Sequence, residues 1–382
     1  MAETRLGVGI IGYGYIGRMH ACAHVNLPFY YSSEGFHTEL IGVCTTRLET
    51  ALDAVMQAGF EYSTTDPDEI LSHPDISLVH ICSPNDTHRD FAITALNNGK
   101  HVYCEKPLAR NLAEARAMLE AAEASRRVHQ VAFQYRFVPA ILRAKQMVEE
   151  EVLGTPISFR VVYLHAGYTD PNRPMSWRLN LQRSGGGALH DLGSHAVDLL
   201  RYLLGDVKRL CASLPTFVKQ RPASADSSHR VPVEVDDLAL MQIEMENGAF
   251  GTLEASRVAT GATDELCIEI HGTRGALRFN LMEPNWLDVY DGRADAAPIG
   301  GWRGYTRIQT IQNYPEPAIF PSPKASVGWT RVHIASLYDF VSNCAKGRVG
   351  SPSFVDGVAV QAVLEAAQVS HASGAWVDVG SL

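Results

Sequence analysis

Short apolar runs alternate with amphipathic stretches along residues 1–130. Val8–Ile11, Leu40–Cys44, Leu78–Cys82 and His101–Cys104 are brief and rich in branched or aromatic residues, as buried strands are. Between and after them, Ile16–Leu27, Leu48–Ala58, Thr87–Asn98 and Leu112–Ser125 repeat apolar positions at three- and four-residue spacing and read as helices. Strand and helix in alternation predict an α/β domain, a doubly wound parallel sheet with helices on both faces. Pro67, Pro74 and Pro84 fall between elements, where a missing N–H is tolerated. The stretch Pro28–Phe36 is long for a helix-to-strand connection and reads as an insertion.

From residue 131 the rhythm changes. Ile157–Leu164, Leu238–Met245, Ala249–Ala255, Leu266–His271 and Ala276–Phe279 alternate or are β-branched, and Asn247-Gly248 is the clearest hairpin turn between them. Ala188–Leu204 and Arg331–Cys344 supply helices. Residues 131–382 therefore read as a separate α+β domain, an antiparallel sheet with helices on one side. Prolines and glycines crowd the segment between Asp291 and Gly328, which predicts a long irregular surface loop.

Composition narrows the class. A length of 382 residues suits two domains, and 46% hydrophobic with 20% charged residues excludes a disordered or coiled-coil chain. A net charge of −9, with no Lys/Arg stripe, argues against nucleic acid as a partner. The start is polar and the first apolar run is too short for a signal core or a membrane span, so a cytoplasmic protein without a membrane partner is expected. Seven scattered cysteines form no Cys-x-x-Cys pair; reduced thiols are expected, with no disulfide frame and no metal site.

Two overlapping glycine patterns open the chain: Gly7, Gly9, Gly12 and Gly12, Gly14, Gly17. Only the second follows a strand and opens a helix, the context that sets a pyrophosphate against helix-terminal N–H groups. Gly12 would make the tight turn, Gly14 admit the phosphates and Gly17 allow helix and strand to pack. The second strand ends in Thr45-Thr46-Arg47 with no acid for the adenosine ribose. The threonine hydroxyls could bond a ribose and Arg47 a 2′-phosphate, so NAD and NADP both stay open. Cys82-Ser83-Pro84-Asn85-Asp86-Thr87-His88 lies at the carboxyl edge of the sheet, where ligands bind, and also offers a helix cap. Glu105-Lys106-Pro107 ends another strand, and an ammonium held there could bond a substrate hydroxyl and ease loss of its proton.

The densest constellation runs Ser184-Gly185-Gly186-Gly187-Ala188-Leu189-His190-Asp191-Leu192-Gly193-Ser194-His195-Ala196-Val197-Asp198. Asp191 and His195 stand four apart and would share one helix face, an imidazole to take a proton and a carboxylate to orient it or hold the substrate. Asp198 is an alternative orienting partner, His190 reads as structural, and a metal pair would need a third ligand that cannot be placed.

The glycine start, the Glu-Lys-Pro triplet and the GGGALHDLGSHAVD helix together resemble the Gfo/Idh/MocA oxidoreductase family along the whole chain. The resemblance implies an N-terminal Rossmann domain and a C-terminal domain on a large, mostly antiparallel sheet, a nicotinamide cofactor lying between them, NAD(H) with NADP(H) as the alternative, and a homodimer or homotetramer. It makes Lys106, His195 and Asp191 the catalytic set. It implies cofactor contacts from Gly12, Tyr13, Gly14, Tyr15, Ile16 and Gly17; from Thr45, Thr46 and Arg47; from Ser83, Pro84, Asn85 and His88; and from Glu105, Lys106, Gln134, Trp177 and Arg178. Lys106, Arg136, Tyr163, Asp191 and His195 are the implied substrate contacts. The activity implied is hydride transfer at a secondary hydroxyl of a sugar, glycoside or cyclitol; the irregular loop and long C-terminal segment resemble members that oxidise carbon 3 of glucosides. The alternatives are an NAD-retaining glycoside hydrolase working by transient oxidation and a non-catalytic dinucleotide sensor.

Overall fold

The computed structural model describes residues 3–311, 314–322 and 324–382. Two compact units divide the chain: Met1–Phe137 with Tyr314–Ala359, and Val138–Asn313 with Val360–Leu382. Where a single boundary after residue 130 is expected, the chain crosses between the units three times. Burial explains the return: the Trp329–Lys346 helix places Ile334, Leu337, Phe340 and Val341 in the same apolar core as Leu6, Val8 and Ile10.

In the first unit β1 (Thr4–Ile11), β2 (Phe36–Cys44), β3 (Tyr62–Thr64), β4 (Leu78–Ile81), β5 (His101–Cys104) and β6 (His129–Val131) form one parallel sheet in the order β3-β2-β1-β4-β5-β6. The helices are α1 (Tyr15–Tyr30), α2 (Leu48–Ala58), α3 (Pro67–Ser72), α4 (His88–Asn97) and α5 (Leu112–Ser125). Strand order reverses between β1 and β4, so their carboxyl ends border the crevice where doubly wound sheets bind ligands. Part of the expected insertion is helical: α1 runs through Pro28 and closes with Tyr31 N–H bonded to Leu27 O. Proline is tolerated there because buried Leu27 and the Tyr31 ring, stacked 3.6 Å from Tyr338, hold the last turn.

The second unit is built from α6 (Pro139–Glu149), β7 (Pro156–Leu164), α7 (Leu181–Ser184), α8 (Ser194–Leu204), β8 (Val207–Ser213), β9 (Gln220–Pro222), β10 (Arg230–Pro232), β11 (Leu238–Met245), β12 (Phe250–Ser256), β13 (Glu265–Gly272), β14 (Gly275–Asn280), β15 (Trp286–Asp291), β16 (Tyr305–Gln309) and β17 (Val377–Asp378). Nine strands among the described residues form a mixed sheet, β16-β15-β14-β13-β7-β12-β11-β8-β17, antiparallel except for the β7–β12 pair. Along β7, Phe159, Val161 and Tyr163 are buried and the residues between them are not, the period of a half-buried strand. α8 covers β7 and β12, and α6 covers β14 and β15. The expected Asn247-Gly248 hairpin joins β11 to β12, with Gly248 at φ +86° and Asn247 Oδ1 accepting from Ala249 N–H. The proline- and glycine-rich segment is less irregular than its composition suggests, because β16 pairs with β15. Among the described residues no helix is long and apolar enough to cross a membrane.

Candidate functional site

In the first unit, Gly12 has φ +95°, and a Cβ there would lie 2.7 Å from the Cys82 carbonyl and 2.8 Å from Ser83 N. Only glycine lets the turn after β1 lie against the loop after β4. A Cβ on Gly17 would strike the Gly12 carbonyl, whereas one on Gly14 would meet nothing within 4 Å. Gly14 caps α1 without any side-chain bond and no acid stands in the first turn, so the helix-terminal amides face open space beside a bare backbone. That arrangement fits a dinucleotide's pyrophosphate. Gly7 and Gly9 belong to β1, where a Cβ would hit the Asp75 carbonyl or Ile70 and Ile76, so sheet packing explains them.

Tyr13 is buried edge-on to Phe60, Ile16 is half-buried, and Tyr15 is exposed beside Trp329 at 5.6 Å. At the end of β2, Thr45 Oγ1 donates to Arg47 O at 2.7 Å; Thr46 and Arg47 are exposed. After β4, Ser83 Oγ and Thr87 Oγ1 lie 2.6 Å apart, Thr87 Oγ1 donates to Pro84 O, and buried Asn85 opens a single tight turn. Lys106 is half-buried on the turn that leaves β5.

Three residues expected to reach a ligand have internal partners. His88 is buried in α4, with Nδ1 3.1 Å from Pro107 O and Nε2 3.0 Å from Ser83 O, so it braces the loops after β4 and β5; burial lowers its pKa despite those bonds. Glu105 turns inward: Oε1 lies 3.1 Å from His20 Nε2 and Oε2 accepts from its neighbour Lys106 N–H at 3.3 Å. Burial pushes Glu105 up, but the His20 bond and the electrostatic influence of His20, Lys106 and His333 outweigh it and leave the carboxyl below its ordinary value. Buried Arg136 donates to Ser351 Oγ at 2.8 Å and Asp356 Oδ1 at 3.0 Å. Strand-end position alone does not say which way a side chain turns. Gln134 is buried in the tight turn Gln134–Phe137.

In the second unit the continuous helix expected over Ala188–Leu204 is instead a π-helical turn, Leu189–Gly193, followed by α8. Asp191 sits on the wider turn and His195 on the first turn of α8, so the simple α-helical face relation does not apply to them. Such turns recur at functional sites. Asp236 organises the entry: its Oδ1 accepts from Gly187 N–H and its Oδ2 from Leu189 N–H, both at 2.7 Å, and its carbonyl accepts from Ala188 N–H. A Cβ on Gly187 would collide with the Asp236 carbonyl, and one on Gly186 with the His190 ring. His190 is buried beside Gln361, in keeping with a structural role, and Asp198 is buried in α8.

His195 is buried edge-on to Tyr163, ring centroids 6.0 Å apart. Tyr163 O–H donates to Asp264 Oδ1 at 2.8 Å, and His165 Nε2 lies 2.8 Å from the same oxygen. Arg257, buried with its guanidinium 4.5 Å from the Tyr168 ring centroid, puts Nη1 3.9 Å from Asp191 Oδ2. Trp177 and Arg178 share a single turn, the guanidinium 4.4 Å over the indole. Sequence reasoning missed Arg257, Asp264, His165 and Asp236. His165 was within reach, two residues after Tyr163 and so on the same side of an extended chain. The other three come together only through sheet pairing. Among the described residues no group of three or more His, Cys, Asp or Glu is arranged to hold a metal ion.

Residues 6–133 match the family model described as "Oxidoreductase family, NAD-binding Rossmann fold", and residues 141–278 match "GFO/IDH/MocA C-terminal domain". Over 98% of both chains the sequence is 37% identical to levoglucosan dehydrogenase of Pseudarthrobacter phenanthrenivorans. The chain belongs to the Gfo/Idh/MocA oxidoreductase family. Within this family it is also 31% identical to the NAD(+)-dependent scyllo-inositol 2-dehydrogenase of Bacillus subtilis, over 78% of this chain and 80% of the relative. The solved structure of levoglucosan dehydrogenase in complex with NADH and levoglucosan superposes with a TM-score of 0.93 at 37% identity, covering 98% of this chain and 100% of that one.

Proposed function

We propose that this Gfo/Idh/MocA protein is an NAD(H)-dependent dehydrogenase that oxidises a secondary hydroxyl of a sugar, glycoside or cyclitol to a ketone, with carbon 3 of an anhydrosugar or glucoside the first position to test. The observation that carries the reading is end-to-end similarity to a sugar dehydrogenase, 37% identity over 98% of each chain. Open space at Gly14 supports diphosphate binding there, with Tyr15, Ser83, Asn85 and the exposed Thr46 and Arg47 as further cofactor contacts.

A nicotinamide cofactor held by the first unit would supply the acceptor for the hydride leaving the carbinol carbon. We assign removal of the hydroxyl proton to a ring nitrogen of His195. To the Lys106 ammonium we assign the steadying of the charge that develops as the proton leaves. Asp191 accepts from a neighbouring hydroxyl and so fixes which carbon reacts. Tyr163, its hydroxyl proton committed to Asp264, supports the His195 ring as a fixed wall.

The test is formation of NADH from NAD, or of NADPH from NADP, over a panel of levoglucosan, glucosides and inositols. Net reduced dinucleotide with at least one of them supports the reading. Free sugar released from a glucoside without net NADH would move the assignment to transient-oxidation hydrolysis, and cofactor binding without any turnover would leave a sensor.

A further inference from the structure

α1 places His20 and His24 one turn apart, and β4 places His80 against both, ring centroids 5.2 and 4.8 Å away and edge to face. All three imidazoles are buried, and they meet nitrogen to nitrogen without converging on a common point. His24 Nε2 lies 2.9 Å from His80 Nε2, and His80 Nδ1 lies 3.2 Å from His20 Nδ1. The far end of the row is Thr38 Oγ1, 3.2 Å from His24 Nδ1, and the near end is Glu105 Oε1, 3.1 Å from His20 Nε2.

A neutral imidazole carries one N–H and one lone pair, so each link needs one proton and no more. An ionised Glu105 can only accept, so a neutral His20 carries its proton on Nε2 and leaves its Nδ1 bare. His80 must then donate from Nδ1, His24 from Nε2 and Thr38 from its hydroxyl. Every ring nitrogen is satisfied by that single assignment, and all four donors point toward Glu105. Burial holds the His24 pKa down to about 3 and that of His80 well below the usual value, so both rings stay neutral near pH 7. The Cys82 thiol, 3.1 Å from His20 Nδ1 and kept protonated by burial, adds a donor to the same acceptor.

We propose that His20, His80 and His24 are positioning residues for Lys106: their donor chain ends on one oxygen of Glu105 while the other oxygen accepts the Lys106 backbone N–H, so the turn carrying the lysine is set from deep in the first unit. The proposal rests on the reading that Lys106 acts in the reaction. Protonation of Glu105 would reverse every donor at once, so the row has two states. The titratable groups acting on Glu105 are His20, Lys106 and His333, and Glu105 in turn acts on His88, Tyr103 and the thiols of Cys82 and Cys104.

Nitrogen NMR of the full chain labelled at histidine tests the row without reference to turnover. The expected pattern near neutral pH is Nε2–H for His20 and His24 and Nδ1–H for His80; any other pattern, or an imidazolium among the three, overturns the proposal. In the kinetic arm, His80→Phe should lower kcat about tenfold, leave KM nearly unchanged and displace the pH profile of kcat. His80→Gln, which retains one donor and one acceptor, should recover most of the loss. An unchanged kcat and pH profile in folded His80→Phe overturns the positioning role. If that variant does not fold, the parent's tautomer pattern decides. Full activity in Lys106→Ala would overturn the catalytic reading and the positioning role with it, whereas a wrong tautomer pattern removes the positioning role alone.

Discussion

A methyl group added at Gly12 and one added at Gly14 meet opposite surroundings. At Gly12 it forces a side chain into φ +95° and against the Cys82 carbonyl; at Gly14 it enters empty space. Gly12→Ala should therefore cost about 2 kcal/mol or more of stability, read as a lower denaturant midpoint. Gly14→Ala should unfold at the parent's temperature yet bind NADH about tenfold more weakly or worse, about 1.4 kcal/mol, by fluorescence titration. A Gly14→Ala protein with parental NADH affinity would remove the diphosphate from this turn. Both glycines were legible in sequence because spacing and the flanking strand and helix specify them. The internal partners of His88, Glu105 and Arg136 were not, since each depends on groups brought by other segments, Pro107, His20 and Asp356 among them.

Among elements, the π turn that carries Asp191 depends on a residue far along the chain. Two amides bond the Asp236 carboxylate, one on each oxygen. Asp236→Ala leaves both buried donors without that acceptor and should cost about 3 kcal/mol, at about 1.5 kcal/mol for each charge-assisted bond; Asp236→Asn should recover part of it. Urea unfolding measures the difference, and an unchanged midpoint in Asp236→Ala would mean that the turn is held otherwise. The strands of the parallel sheet that showed clear apolar runs and the Asn247-Gly248 hairpin were readable because a local period or a turn dipeptide marks them. β3 and β6, three residues each, are too short to show a period. The Phe354–Ser373 helix is so rich in alanine and valine that no polar face marks it, and the π turn has no sequence signature of its own.

For the whole molecule, burial of neutral histidines sets how stability responds to acid. His24 and His333 are held down to about 3, His101 and His129 to about 4, and His80 well below its usual value, all chiefly by burial. Their folded pKa values lie below the unfolded value of about 6.5, so their contribution is complete above that pH and is lost as pH falls toward 4. Each deeply buried ring removes about 1.4 kcal/mol per pH unit within that window. Asp339, raised to about 6 by burial, works with the opposite sign and recovers stability as pH falls below 6, but it is one group against these five and His88, which burial also lowers. Urea midpoints should therefore drop steadily from pH 7 to pH 5; a midpoint that rises over this range would contradict the burial of neutral rings. At this scale the two-part organisation was legible and the return of Tyr314–Ala359 to the first unit was not, because the Trp329–Lys346 helix shows its apolar face without showing which core receives it.

The proposal that Lys106 and His195 serve one alcohol oxidation is decided by following NADH production from NAD and levoglucosan or a related glycoside in the parent, Lys106→Ala and His195→Ala. Net NADH is expected from the parent, with kcat at least about a hundredfold lower in each variant and NADH affinity kept in His195→Ala. Parental turnover in either variant, or no reduced dinucleotide from the parent with any sugar, glycoside or cyclitol, would contradict it.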